Sequence, residues 1–248
     1  MRRAGCTYLE SAPEILAHHG LWYEATILQH PLRLAWAEKV CELGGAMSVV
    51  DDAYPAAWFA LGAQAPPVLW KVGEVPEADF IGVVGSRNVP EPVLGFAYEV
   101  AKQAVFLGYG VVSGGASGCD AAAARGARGQ VLEILPYGVR HHRGGHPALA
   151  LAPPDEPFSA ALAMERNALI YAASRQTIVV HSRFREGGTW VGATDALRRR
   201  LCPLLVRDDP ESQAHRALMA LGARSLREPS ELADALRLPG LQPSLMSA

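Results

Sequence analysis

Lysine is almost missing from this chain of 248 residues: it occurs only at Lys39, Lys71 and Lys102, and all other basic side chains except histidine are arginine. Arginine favours forked phosphate contacts and stacking on bases, although codon bias in a GC-rich genome gives the same excess. Charge of one sign is also lacking. The net charge of −2 excludes the global basic field common in small nucleic-acid-binding domains. Cysteine is scarce, and Cys6, Cys41, Cys119 and Cys202 show no CxxC spacing. That excludes a zinc ribbon and reads as free thiols in a reducing cytoplasm. No apolar signal core follows Met1-Arg2-Arg3, and no apolar run reaches membrane-spanning length, so the expectation is a cytoplasmic protein without a membrane partner. Two familiar phosphate signatures are absent as well. No Gly-Lys-Ser/Thr completes a Walker A loop, and no GxGxxG follows a strand. There is no internal repeat.

What is present is alternation. Half of the residues are hydrophobic, enough for a sizeable core in one large or two small domains. Residues 8–46 carry apolar side chains in broken helical spacing, and Gly44-Gly45 ends them. A short helix at 56–61 and a strand at 68–72 lead into the main rhythm. Strands are expected at 81–85, 110–113, 131–135, 176–181 and 203–206. Helices are expected at 92–107, 119–128, 188–200, 211–221 and 229–237. Strands alternating with helices imply a mostly parallel sheet covered on both faces, an α/β doubly wound fold. The segment 136–165, rich in Pro, Gly, His and Ala, reads as one long loop. The expected domains are a helical N-terminal segment at 1–50, the α/β domain at 51–240 and a tail at 241–248.

Three turns of the βα type carry the chemistry. Gly85-Ser86-Arg87 follows an apolar strand. Its glycine admits close approach of backbone amides to an anion, Ser86 adds a hydroxyl, and Arg87 can fork onto a phosphate; a solvated arginine in an ordinary turn is the plain alternative. Ser113-Gly114-Gly115-Ala116-Ser117-Gly118-Cys119-Asp120 packs glycines and serines before an alanine-rich helix, as phosphate cradles do. Asp120 either joins that site or caps the helix. Gly118→Val is expected to abolish anion binding with the fold intact. Cys119 sits near a helix N-terminus, where a thiol pKa tends to fall, but no partner histidine can be assigned to it. Gly187-Gly188-Thr189 opens a further helix after strand 176–181 and makes a third anion-binding turn. Trp190 beside it either stacks on a base or packs in the core. Arg166-Asn167 is expected just before a helical stretch at 168–173, near the same sheet edge. His141, His142 and His146, with Arg140 and Arg143, form a cationic loop. Without a nearby carboxylate or cysteine it faces solvent or phosphate rather than a metal.

The order of these motifs resembles the DNA-processing protein A (DprA, or Smf) family, within the Rossmann-like SLOG/LOG superfamily. Gly85-Ser86-Arg87, Ser113–Asp120, Arg166-Asn167 and Gly187-Gly188-Thr189 match the family's GSR, SGxAxGxD, RN and Gly-rich turn. Tyr54-Pro55 and Pro66-Pro67-Val68-Leu69 resemble its lead-in, and the likeness extends over about residues 51–237. Ala168 stands where the family has a second arginine, and Ala123-Ala124-Arg125 lacks its histidine. The resemblance implies an extended Rossmann-like domain that binds single-stranded DNA, protects it during natural transformation and loads the RecA recombinase, typically as a homodimer. It implies no cofactor, no metal and no catalytic residue. The expected contacts are the four motifs named, with Arg125, Arg140, His141 and Arg143 as secondary ones. Two other readings use the same cradles: a nucleotide-binding sensor, and a LOG-like nucleotide phosphoribohydrolase. The latter requires an acid after its Gly-Gly-x-Gly-Thr turn, where this chain reads Trp190-Val191-Gly192-Ala193.

Overall fold

The computed structural model describes residues 45–48 and 54–237. The helical expectation at 8–46 falls outside them up to residue 44, its last residue Ala46 lies in a strand, and the tail at 241–248 falls outside them. The chain divides into two units, Met1–Tyr54 and Pro55–Ala248. In the first, Ala46–Ser48 is a short strand, β1.

The second unit is built on β2 (Val68–Val72), β3 (Phe80–Gly85), β4 (Gly110–Ser113), β5 (Val131–Leu135), β6 (Ala148–Ala150), β7 (Ser174–His181), β8 (Leu204–Arg207) and β9 (Arg224–Leu226). Their order is β2-β6-β5-β4-β3-β7-β8-β9. Every pairing is parallel except β2 with β6. Strands buried on both faces need continuous apolar runs. Phe80-Ile81-Gly82-Val83-Val84 and Val131–Leu135 are buried throughout, as a central position demands.

Among the described residues, six α-helices cover the sheet: α1 (Glu91–Phe106), α2 (Cys119–Ala127), α3 (Ala160–Ala173), α4 (Gly187–Arg199), α5 (Gln213–Ala220) and α6 (Leu232–Arg237). Ile81, Val83, Val111, Val131, Ile178 and Val180 pack with Ala97, Ala101, Ala123 and Ala127 of α1 and α2 in one core. Strand alternation then turns Val84, Val112, Leu132, Ile134 and Val179 to the opposite face, where they are equally buried. There Trp58, in a 3₁₀ helix at Ala56–Gln64, donates its indole N–H to the Leu169 carbonyl of α3 at 2.9 Å. Small residues let α1 and α2 approach closely: a Cβ at Gly126 would strike the Tyr98 carbonyl.

The chain leaves β3 toward β4, β5 and β6 on one side, then returns to place β7, β8 and β9 on the other. This reversal between β3 and β7 is the position where open α/β sheets hold ligands, beyond the carboxyl ends of the strands.

Most elements match the expected ones to within two residues. The stretch 136–165 does not. It contains a 3₁₀ turn at Val139–His141, strand β6 and the first turns of α3. Ser159 caps α3 by accepting the Leu162 N–H at 3.1 Å, and the Ala-rich run behind it is a strong helix former. Arg166 and Asn167 therefore lie inside a helix of 14 residues, not ahead of one. The 229–237 helix begins as a 3₁₀ turn at Pro229–Glu231 before α6.

Candidate functional site

A cavity of about 480 Å³ opens at the carboxyl ends of β3 and β7. The first turn, the third turn and α3 meet there. Gly85, Ser86, Arg87, Asp120, Arg166, Asn167, Gly187, Gly188 and Thr189 all line it. Ser113, Gly114, Gly115, Ser117 and Gly118 do not, nor do Arg125, Arg140, His141 and Arg143.

In the first turn, Ser86 is spent on architecture. Its N–H donates to the His181 carbonyl at 3.1 Å and its hydroxyl reaches the same oxygen at 3.5 Å. Its own carbonyl accepts the Cys119 N–H at 3.4 Å. Gly85 is required by packing, because a Cβ there would meet the Cys119 sulfur. Arg87 is exposed, and no carboxylate among the described residues pairs with it. Its guanidinium lies 5.8 Å from the centre of the Phe158 ring, itself half exposed.

The second turn is folded inward. Asp120 Oδ2 accepts the Gly114 N–H at 3.1 Å and the Ala116 N–H at 3.4 Å, so these amides serve the carboxylate. Asp120 is thus no helix cap; Gly118 holds the N-cap position of α2. The glycines make room for protein atoms. A Cβ at Gly114 would collide with the Arg166 guanidinium, one at Gly115 with Glu133, and one at Gly118 with the Arg87 carbonyl.

Arg166, 6% exposed, donates from Nη1 to the Ile134 carbonyl at 3.0 Å. Its Nε and the Ser113 hydroxyl are buried without partners. Burial pushes the Asp120 carboxyl up to about 6, against the pull of Arg166 and the two amides. Burial likewise lowers the Arg166 pKa, while Asp120 supports its charge. The floor of the cavity is therefore a buried acid and base beside each other. The Tyr171 phenol is raised, chiefly by burial.

The third turn is open. Helix α4 starts at Gly187, whose φ is +79°, and no side chain caps it. Glu186, at the N-cap, pairs instead with Arg183 at 2.7 Å. Asn167 Nδ2 donates to the Gly188 carbonyl at 3.2 Å and ties α3 to this turn. An uncapped helix start with positive partial charge is a ready anion site. Trp190 packs edge-on against Phe184, with ring centres 5.1 Å apart.

Cys119 departs from its expectation. It is fully buried, and desolvation with the neighbouring Asp120 pushes its thiol up to about 12. Cys202 is raised to about 12 by burial. Neither should be alkylated by iodoacetamide in the folded protein at neutral pH, while both react in urea. Peptide mapping checks this, and rapid native labelling of Cys119 would contradict the packing around Gly85.

The cationic loop lies elsewhere. Arg140 pairs with Asp155 at 2.7 Å, the His141 ring reaches the Asp155 carbonyl, and Arg143 donates to the Arg140 carbonyl. His142 turns inward, 3.7 Å from Glu133. No group of three or more possible metal ligands forms among the described residues. No helix among them is long and apolar enough to cross a membrane.

Sequence reasoning missed Phe158, Met164 and Tyr171, all on the cavity wall. Tyr171 lay in the expected helical stretch at 168–173 but was not singled out; Phe158 and Met164 were hidden by the long-loop reading. Ser159 followed by an alanine-rich run was the signal that would have placed them on a helix start.

The family model of DNA recombination-mediator protein A matches residues 46–237. The chain belongs to this family. Among solved structures, it is similar to DNA processing protein A from Streptococcus pneumoniae, with 20% identity, a TM-score of 0.69, and coverage of 76% of this chain and 73% of that one. DNA processing protein A from Helicobacter pylori, studied for its single-stranded DNA binding mode, matches with 20% identity and a TM-score of 0.67, over 77% of this chain and 95% of that one. A molybdenum cofactor binding protein from Rippkaea orientalis is also similar, with 20% identity and a TM-score of 0.52, over 65% and 96% of the two chains. At these identities the likeness is one of fold. No curated protein matches the chain at a significant level.

Proposed function

We propose that the chain binds single-stranded DNA without catalysis, gripping the backbone at the cavity between β3 and β7. One observation carries the reading. An uncapped helix start at Gly187–Thr189 and an unpaired Arg87 face the same cavity, with the half-exposed Phe158 ring beside Arg87. The first two supply a phosphate site, and the ring supplies a platform for a base of any identity. Backbone grip with stacking is sequence-tolerant and salt-dependent. Membership of a recombination-mediator family, and the Helicobacter pylori relative's binding of single-stranded DNA, support this reading. Arg166 and Asp120 shape the floor. The Ser113–Gly118 turn acts through them, since its amides at Gly114 and Ala116 are already engaged. Hand-over of the strand to a RecA-type recombinase, and assembly as a homodimer, complete the proposal.

Arg87→Ala is expected to weaken binding of a dT oligomer by about 1–3 kcal/mol, the worth of a charge-assisted contact. It should flatten the salt slope by about one unit. Stability should hold, because Arg87 is exposed and makes no ion pair. Fluorescence anisotropy across a salt series measures it, and unchanged affinity at low salt would remove Arg87 from the site. Free mononucleotides serve as competitors in the same assay. Full competition at matched concentration would move the site to the nucleotide-sensing reading, and release of free base would move it to hydrolysis.

A further inference from the structure

Two histidines face each other behind the first turn, with ring nitrogens unspent. His181 ends β7, and His215 lies in the first turn of α5. Their ring centres are 6.2 Å apart, with planes at 70°. His215 Nδ1 lies 2.8 Å from the Arg207 carbonyl, to which it can only donate, so its Nε2 is bare in the neutral ring. That Nε2 and the Nδ1 of His181 are both buried and lack hydrogen-bond partners. The charged groups around the pair are few. Arg207 of β8 donates from Nε to the Val180 carbonyl at 3.1 Å and pairs with Asp209 at 2.6 Å. Arg183 adds positive charge from the turn after β7, and Cys119 of α2, near Arg207, stays a neutral thiol. The backbone of the pair reaches the binding site, because the His181 carbonyl holds both the N–H and the hydroxyl of Ser86.

We propose that this histidine pair is a proton-operated release for the first turn: protonation opens the end of β7, frees Ser86 and loosens the grip of Arg87 on the DNA strand. The proposal rests on the single-strand reading above. A proton added to either bare nitrogen creates a buried N–H with no acceptor, beside the guanidinium of Arg207. Neither cost is relieved without movement. Burial lowers the pKa of both rings, and Arg207 lowers them further; Asp209 and, for His215, the carbonyl bond act the other way. The closed arrangement is thus fully present above the ordinary histidine pKa of about 6.5 and is lost as pH falls below it. The sign is diagnostic. Simple electrostatics predicts tighter phosphate binding in acid, since histidines gain charge and Asp120 loses it.

The test uses the full chain and a labelled dT oligomer at about pH 8 and about pH 5.5, either side of that pKa. Hydrogen exchange at the Ser86 amide, corrected for intrinsic rate, is read in parallel. Wild-type affinity should fall several-fold in acid, and Ser86 protection should fall with it. His215→Asn keeps a donor for the Arg207 carbonyl and cannot be protonated. It should match wild type at the higher pH and lose part of the acid response of both affinity and Ser86 protection, because His181 still titrates. Wild-type affinity that is level or higher in acid with Ser86 still protected overturns the proposal. So does a His215→Asn protein that responds to acid as wild type does. If the oligomer fails to bind at pH about 8, the DNA reading fails, and Ser86 protection alone decides the switch. If His215→Asn does not fold, NMR titration of the wild-type rings decides: apparent pKa values at or above 6.5 for both overturn the proposal.

Discussion

Gly118→Val is expected to cost about 4 kcal/mol of stability, a large part of what a domain of this kind possesses. The position has φ +79°, where a β-branched residue is strained by about 1–2 kcal/mol. Its Cβ would also collide with the Arg87 carbonyl, a backbone atom that no rotamer change can move. Overpacking of this kind adds about 1–3 kcal/mol. The geometry therefore reverses the expectation read from sequence, that binding alone would be lost. Gly187→Ala is the matched comparison. Its φ is also +79°, but the nearest atom to a Cβ there is Arg183 Nη2 at 4.0 Å, so only about 1 kcal/mol of backbone strain is expected. Urea denaturation of the two variants beside wild type measures the difference. Equal midpoints for Gly118→Val and wild type would show that the contact between the first and second turns can yield.

The contrast between those two glycines marks what the sequence could reveal. The alternation of apolar runs with helical segments made the parallel sheet legible, because strands buried on both faces must be apolar throughout. Gly187-Gly188-Thr189 was legible as an open turn for a related reason: a helix start without a capping side chain is visible in residue types. Glycines that admit a ligand and glycines that admit another part of the chain look identical in sequence. Gly85, Gly114 and Gly118 are of the second kind, and only the positions of Cys119, Arg166 and the Arg87 carbonyl reveal it. Long-range burial was equally hidden. Nothing local to Arg166 shows that its guanidinium reaches under Gly114 to the Ile134 carbonyl, 32 residues away in sequence. Nor does the helix N-terminus beside Cys119 show that desolvation outweighs the dipole. The Phe158 platform was lost to a boundary error, because a region rich in Pro and Gly was read as loop through to Glu165.

Arg166→Ala is expected to destabilise the protein by about 2–4 kcal/mol, because it empties a buried site and removes a charged hydrogen-bond donor. The Ile134 carbonyl loses its donor, and Asp120 loses the cation that supports its charge. The pH dependence identifies the second loss. In the wild type, burial raises the Asp120 pKa to about 6, above the ordinary carboxylate value. The native state therefore binds this proton more tightly than the unfolded chain. The associated stability is fully present below the unfolded pKa of about 3.9 and is lost as pH rises through about 6. Without Arg166 the native pKa moves higher still, so that loss grows and extends toward neutral pH. Arg166→Ala should be closest to wild type near pH 5 and furthest from it above pH 7. Adding Asp120→Asn, which can still accept the Gly114 N–H, should flatten that slope and return part of the lost stability. Urea denaturation of the single and double variants across pH measures both effects. A deficit in Arg166→Ala that is constant with pH would mean that the guanidinium serves the Ile134 carbonyl alone and that Asp120 does not depend on it.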